Sequence, residues 1–537
     1  MNDATPAIDE ITTQPVIPGG GPLAPEHPDG ERPDIRGAIL NGRFLGSRDS
    51  ALEDALARFL SAANDDPHGD APGDAHGDAP GDALAAWLPE GWRGSADDVR
   101  GLLDRDIVAI DAMLSEQLDA VLHHERLRRL EGCWRGLAWL VGGMDSGARL
   151  KCKILNITWP EICRDLERAV EFDQSNLFRK IYEEEFGSPG GEPYGVMLID
   201  HDIRHRSGPQ SRTDDVSALA SLASIAAAAF CPTIVGAHPA LLEVDDFADL
   251  ATVTDIASPL RNADHARWRN LTTRTDTRFI GISLPRMLAR PPWEDDGTRA
   301  DCFRYKEYAP EARDRVWMSA GFAFGQVCAR AFASSAWPGD IRGADLDRIG
   351  GGLVDEMPVE SFRTDPDGVW IRKSVEIVWN DRQERELLDA GMIPLASIPF
   401  TDELVFGAAR SPLVPQRFTG ANAEAANANA RLSNQINTIM CASRFAHYIK
   451  MLGRQMVGSF KTSEEIEKTL DGWIKQYVRS NAPYEIRSRY PLIAGKVTVH
   501  ELPGKPGSYG CTVMLQPHYQ IDDVAATFQL VTDLGGR

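Results

Sequence analysis

No two cysteines in this chain of 537 residues are spaced as CxxC. The eight stand singly, at 133, 152, 163, 231, 302, 328, 441 and 511, which argues against a zinc site and suits reduced thiols in a cytoplasm. No apolar run approaches the roughly 20 residues that cross a bilayer. The first residues, Met1-Asn2-Asp3-Ala4, have neither a basic stretch nor an apolar one, so a signal peptide is not expected. GxxxxGK[ST] and GxSxG are absent. So is HExxH, because His124-Glu125 runs on into Arg126, Leu127 and Arg128. Positive charge is scarce too. With 57 basic against 79 acidic residues the net charge is −22, which argues against a nucleic-acid surface.

What is present is an ordinary globular balance, 43% hydrophobic and 25% charged, and enough length for two or three domains. The acidity is uneven. Residues 1–98 carry 19 acidic and 6 basic side chains, so more than half of the net charge sits in under a fifth of the chain. Residues 1–35 are rich in Pro, Gly and acids and are expected to be disordered. His68-Gly69-Asp70-Ala71-Pro72-Gly73-Asp74-Ala75 is repeated letter for letter at 76–83. Its histidines and aspartates suggest metal binding, but Gly and Pro in each copy favour a flexible spacer without fixed ligand geometry. Between these stretches, Leu52, Leu56, Phe59 and Leu60 share one face of a short helix.

The strongest periodicity lies between Ile107 and Val141. Leu103, Ile107, Ile110, Leu114, Leu118 and Val121 recur every three or four residues, as do Leu127, Leu130, Trp134, Leu137 and Val141 beyond the polar break at 123–125. Two consecutive helices are predicted, each with an apolar stripe facing a core. Lys151 to Ile157 alternates as a strand does. Tyr194 to Asp200 and Thr233 to Gly236 read as buried strands around a helix capped near Thr213-Asp214, a βαβ unit with a partly parallel sheet. Arg278 to Leu284 supplies another strand, and a helix is predicted over about 313–332. Asp381 caps a further helix, with Gly391 just past its end. After a Pro-containing junction at 411–415, Ala421 to Met456 reads as one long helix. Another opens at Thr462, and strand-like segments follow over 496–501, 509–516 and 526–534.

The best chemical constellation is Asp200-His201-Asp202 with His205, at the carboxyl end of a predicted strand, where open α/β sheets place ligands. Two carboxylates and two imidazoles suit a divalent metal, although strand ends carry such residues simply because the chain surfaces there. Gly350-Gly351-Gly352 reads as a turn rather than a phosphate cradle. No catalytic, cofactor-binding or metal-ligating residue is assigned. The last strand is a different matter. Phe528, Leu530 and Leu534 share one face, Thr527, Gln529 and Val531 the other, with no proline and only Asp533 to blunt the edge. Thr527, Phe528, Gln529, Leu530 and Val531 are therefore the candidate assembly strand, the alternative being a strand already paired on both sides.

Several separated blocks resemble one family. They are Leu130-Glu131-Gly132-Cys133-Trp134-Arg135-Gly136-Leu137 and its continuation to Val141; Pro193 to Asp202; Arg278 to Arg290; and Trp337 to Phe362, with Asp340-Ile341-Arg342-Gly343. Asp381-Arg382-Gln383-Glu384-Arg385-Glu386-Leu387, leading into Gly391-Met392-Ile393-Pro394-Leu395, is the most specific, and Arg444 to Gly453 completes the set. Together, over about residues 100–535, they resemble the large subunit of the type VI secretion contractile sheath (TssC/VipB). The resemblance implies a cytoplasmic structural protein, not an enzyme and without cofactors. It would pair with a small sheath subunit (TssB/VipA-like) and polymerise with copies of the same heterodimer around an inner tube (Hcp-like). It further implies a baseplate, contraction that drives delivery, and recycling by a AAA+ unfoldase, with neither nucleic acid nor membrane insertion. The expected architecture is α/β and α+β. An acidic arm over 1–98 precedes a mixed-sheet α/β domain with βαβ units over 99–410. A small α+β domain of the gp25/tail-lysozyme type follows over 411–537. The rival readings are a metal-dependent α/β enzyme using Asp200, His201, Asp202 and His205, and an adaptor that binds one partner without polymerising.

Overall fold

The computed structural model describes residues 34–42, 50–64, 79–89, 92–188, 190–208, 211–300, 303–344, 349–362, 370–399, 401–420, 423–456, 462–481, 489–501, 509–518 and 528–533. Residues 1–33 and most of the duplicated octapeptide, 68–78, lie outside them. The chain divides into two units, residues 1–117 with 296–305, and 118–295 with 306–537.

In the first unit, α1 (Ile35–Leu40), α2 (Ser50–Asn64) and α3 (Ala79–Trp87) lead into α4 (Ala96–Leu122). Asp34 caps α1 by accepting from the Gly37 amide at 2.8 Å. Leu52 of α2 is buried, and Phe59 stacks on Trp87 of α3 with ring centroids 5.6 Å apart. The anchor is Asp106 of α4, which is buried. It accepts two bonds from the Arg36 guanidinium at 2.6 and 2.7 Å and one from the Trp87 indole at 2.9 Å. Arg36 holds the Asp106 carboxyl below its ordinary pKa, against the cost of burial.

The second unit begins at Leu118 and includes α5 (Glu125–Gly142). The apolar stripes predicted for α4 and α5 are the main correction to the sequence reading. Ile107, Leu114, Leu118, Val121, Leu130, Trp134 and Val141 are exposed. On α5 the buried positions are Gly132, Gly136 and Leu140. Four residues apart, the glycines form a seam without side chains, so the α5 backbone lies directly on the strand and helix beneath it. An ion-pair cluster fixes the helix there. Glu131 accepts from Arg290 Nε at 2.7 Å, while Arg290 Nη1 donates to Glu307 at 2.5 Å. Past α5, the strand expected over Lys151 to Ile157 does not form: residues 151–158 have no regular secondary structure and every one is exposed. Lys151 and Lys153 tether this segment to Glu192 and Glu185. The helix α6 (Trp159–Arg168) and the single-turn α7 (Asn176–Phe178) follow.

The sheet has strand order β1 (Met197–Ile203), β2 (Thr233–Ala237), β3 (Ile280–Leu284) and β9 (Ile393–Pro394), all parallel. The crossover from β1 to β2 is α8 (Asp215–Ala229). Asp214 caps it by accepting from the Ser217 amide, and Phe230 closes it in the left-handed conformation, φ 49°. The predicted βαβ unit is thus present. α8, β2, β3 and the short α9 (Ala266–Thr272) enclose a core that includes Leu219, Leu222, Val235 and Ile282. A hairpin of β4 (Met287–Arg290) and β5 (Val316–Met318) comes next. The helix expected from about residue 313 begins later, as α10 (Ala320–Ser335) capped by Ser319, because Val316-Trp317-Met318 pairs as a strand first. Small antiparallel pairings follow, of β11 (Leu404–Val405) with both β6 (Leu353–Val354) and β10 (Ala396–Ser397), and of β7 (Glu360–Phe362) with β8 (Trp370–Arg372). The helix α11 (Asp381–Asp389) is capped by Asn380 rather than Asp381, its side chain accepting from the Arg382 and Gln383 amides at 3.1 and 3.0 Å. Gly391 lies at φ 80°, the left-handed site expected after that helix.

The long helix expected over 421–456 is two, α12 (Ala423–Leu432) and α13 (Ile436–Met456). At the break, the Ile436 amide donates to Ala409 O at 3.0 Å and the Ser411 amide to Asn434 O at 2.8 Å. Residues 409–411 thereby engage backbone groups that a continuous helix would need. α14 (Ser463–Lys475) and the antiparallel sheet β12 (Leu492–Glu501), β13 (Tyr509–Pro517) and β14 (Phe528–Asp533) complete the chain. Their core joins Ile439, Phe445, Leu470 and Val513 to Phe279 and Trp337 of the preceding region. The architecture is α/β with a small α+β region at the end.

Candidate functional site

The proposed metal quartet does not converge. A register shift between Ile199 and Asp202 interrupts the ladder of β1 with β2 here, and each side chain finds its own partner. Asp200 lies beside Cys133, whose thiol is pushed up to about 12 by burial and by that carboxylate. Asp202 sits 3.9 Å from Arg286, which Glu376 engages at 2.6 and 3.0 Å. His201 has partners of its own. Its ring stacks on Trp159 at 4.4 Å, with Nε2 at 3.4 Å from Asp215 and Nδ1 at 3.3 Å from Arg129. Asp215 is buried, which alone would raise its pKa. Bonds from His201, the Arg204 amide, Trp159 and Thr213 outweigh that and lower it. These contacts close the turn between β1 and α8. They are structural, and each acidic group already has its partner.

His205 goes elsewhere. It is buried, and its ring stacks on His265 with centroids 3.9 Å apart. Neither ring nitrogen makes a hydrogen bond, although the Ala240 main chain comes near. Burial, then the neighbouring His265 and Arg206, hold its pKa below the ordinary value. His265 and Glu243 are separated from His205 by 60 and 38 residues, so no spacing rule in the sequence links the three.

The candidate assembly strand lies at the rim of the C-terminal sheet. Phe528–Asp533 pairs with β13 alone, Gln529 opposite Met514 and Val531 opposite Thr512. Among the described residues no strand covers its other side. Thr527 lies outside the described residues. Among the described residues two further apolar surfaces are exposed, the outer stripe of α5 with Trp134 61% exposed, and the segment 151–158 with Ile154 64% exposed.

Residues 104–412 match the family model described as EvpB/VC_A0108, tail sheath N-terminal domain. Residues 425–534 match a second, EvpB/VC_A0108, tail sheath gpW/gp25-like domain. The chain belongs to the tail-sheath family. It is similar to the type VI secretion system sheath protein TssC1 of Pseudomonas aeruginosa, 33% identical over 446 residues, 82% of this chain and 87% of that protein. In this sheath-family chain the Gly132–Gly136 seam, β1, β3 and α11 all fall within the first matched region, and β12–β14 within the second. The family is a structural one, and the metal-dependent enzyme built on Asp200, His201, Asp202 and His205 is not favoured. No helix among the described residues is long and apolar enough to cross a membrane.

Proposed function

We propose that this chain is the large subunit of a type VI secretion contractile sheath. It pairs with a small sheath subunit, and the heterodimers polymerise helically around an inner tube. Family membership carries the reading, because both matched regions are tail-sheath domains and together span most of the chain. The apolar stripe of α5 and the bare segment 151–158 support it. A free monomer gains nothing from exposing Trp134, Leu130, Ile154 and Leu155, whereas an assembly subunit buries such surface on its partners.

In this reading Thr527, Phe528, Gln529, Leu530 and Val531 extend a sheet of a neighbouring protomer, and the chain works in the cytoplasm. Contraction displaces the inner tube from a baseplate, and a AAA+ unfoldase recovers the spent subunits. The chain divides into an arm over 1–98, a sheath domain over 99–410 and a C-terminal domain over 411–537. Co-expression with the small subunit followed by negative-stain microscopy tests the proposal. Long striated tubes are expected. Discrete particles of one heterodimer would overturn it in favour of an adaptor.

A further inference from the structure

Three turns meet beyond the carboxyl ends of β1 and β2. They bring His205, Glu243 and His265 together with their ligand atoms within 4.8 Å of one another. Both imidazoles are more than nine-tenths buried, yet His205 Nδ1, His205 Nε2 and His265 Nδ1 have no hydrogen-bond partner. Burying an imidazole nitrogen without a partner costs free energy that packing alone does not return.

The surroundings orient two of these groups. His265 Nε2 lies 3.0 Å from Leu241 O. A carbonyl only accepts, so Nε2 carries a proton, and the ring in its neutral form presents a lone pair at Nδ1. That lone pair faces Glu243 Oε1 at 3.5 Å, an acceptor opposite an acceptor. Asn262 Nδ2 donates to the other carboxylate oxygen at 3.1 Å, which leaves Oε1 free to point inward. Glu243 itself sits in the left-handed backbone region, φ 57°. A carbonyl-fixed histidine and an amide-fixed carboxylate are the supports that metal ligands characteristically receive.

We propose that His205, Glu243 and His265 bind a divalent first-row transition-metal ion, with zinc suited to two imidazoles and one carboxylate. In a loaded tetrahedral site with bonds of about 2.0–2.1 Å the ligand atoms lie closer together than in the present arrangement. The stacked rings must therefore tilt, so that both ring planes contain the ion. Glu243 is partly exposed, and water reaches the fourth position from its side. The ion would fasten the turn after β1, the turn after β2 and the segment leading into α9, making a staple at the edge of the sheet. The site stands apart from the quartet on β1, of which it takes only His205, and does not depend on the sheath reading.

The test uses the full chain purified with its assembly partners, stripped by chelator and titrated with zinc alone. His68 and His76 of the octapeptide are replaced by Gln throughout, so that the repeat contributes no ligands. One equivalent of zinc bound per chain, a raised melting temperature and a cobalt(II) absorption typical of tetrahedral N/O ligation are expected. Glu243→Gln and His205→Gln should each weaken zinc binding by tenfold or more and abolish the thermal shift. Should His205→Gln fail to fold, Glu243→Gln at the surface decides alone. No saturable binding, or binding unchanged in Glu243→Gln, would overturn the proposal.

Discussion

Gly132 of α5 passes directly over the main chain of Trp317 in β5, where an added Cβ would stand 2.1 Å from the carbonyl oxygen. Neither partner is a flexible side chain, so the helix itself would have to lift. One turn later Gly136 meets the Phe322 ring in the same way, at 2.4 Å.

Gly132→Ala should therefore destabilise the protein by about 3 kcal/mol, at the upper end of overpacking costs. Gly101→Ala, inside α4 with nothing near its Cβ, should instead add about 1 kcal/mol through helix propensity. Urea denaturation of the two variants in the assembled heterodimer measures both. Equal effects would show that α5 does not lie on β5 as described.

Arg290 lies between Glu131 and Glu307 with 5% of its side chain exposed, and Glu307 with 1%. Arg290→Met roughly keeps the volume but removes the guanidinium that two carboxylates share, leaving Glu131 with Arg135 and Glu307 with the Trp293 amide and His123. A loss of about 3–5 kcal/mol is expected, as for one member removed from a buried ion-pair cluster. The triple change with Glu131→Gln and Glu307→Gln should recover much of it, and a melting series would show this.

His447 of α13 is buried against α8, with Nε2 3.0 Å from Ala229 O. Burial holds its pKa down to about 4, against 6.5 for a free imidazole. The sign follows from proton counting. Between those two values the unfolded chain binds a proton that the folded chain refuses, so stability falls as pH drops from about 6.5 towards 4. The contribution is about 3 kcal/mol, fully present above pH 6.5 and lost below pH 4. His447→Gln should flatten the pH dependence of the melting temperature within that window. An unchanged slope would refute the assignment.

Gln529→Pro addresses the rim strand. Proline removes one amide donor and fixes φ near −65°. β12 and β13 pair along nine positions and carry the buried Val497, Val513 and Leu515, and if β14 serves a neighbour the fold should tolerate the change. The heterodimer is expected to stay soluble with nearly native circular dichroism while tube growth stops. Tubes of normal length would remove β14 from the assembly contact.

The sequence revealed the β1–α8–β2 unit because its signals are local: short apolar runs, an Asp cap and Pro232 past the helix end. The same holds for α11 with Gly391 and for the three C-terminal strands. The inward face of α5 was hidden because periodicity weighs side chains. Here close backbone approach along two glycines won, and the apolar stripe was left outward. The break between α12 and α13 was hidden for a related reason. An Ala- and Asn-rich run has no local stop, and the competing bonds come from residues 409–411. The candidate site was least legible. Asp200, His201 and Asp202 looked like ligands because they are adjacent, yet each is taken up by a different partner, Cys133, Asp215 and Arg286, while His265 joins His205 from 60 residues away.

Those bonds at 409–411 and 434–436 have a mechanical meaning. Arg410 and Gln435 form an antiparallel bridge across the gap between the two family regions, and Phe279 and Trp337 stand in one core with Phe445. A junction of this kind has no slack. Relative sliding of the two regions would have to shear that bridge and open the aromatic core.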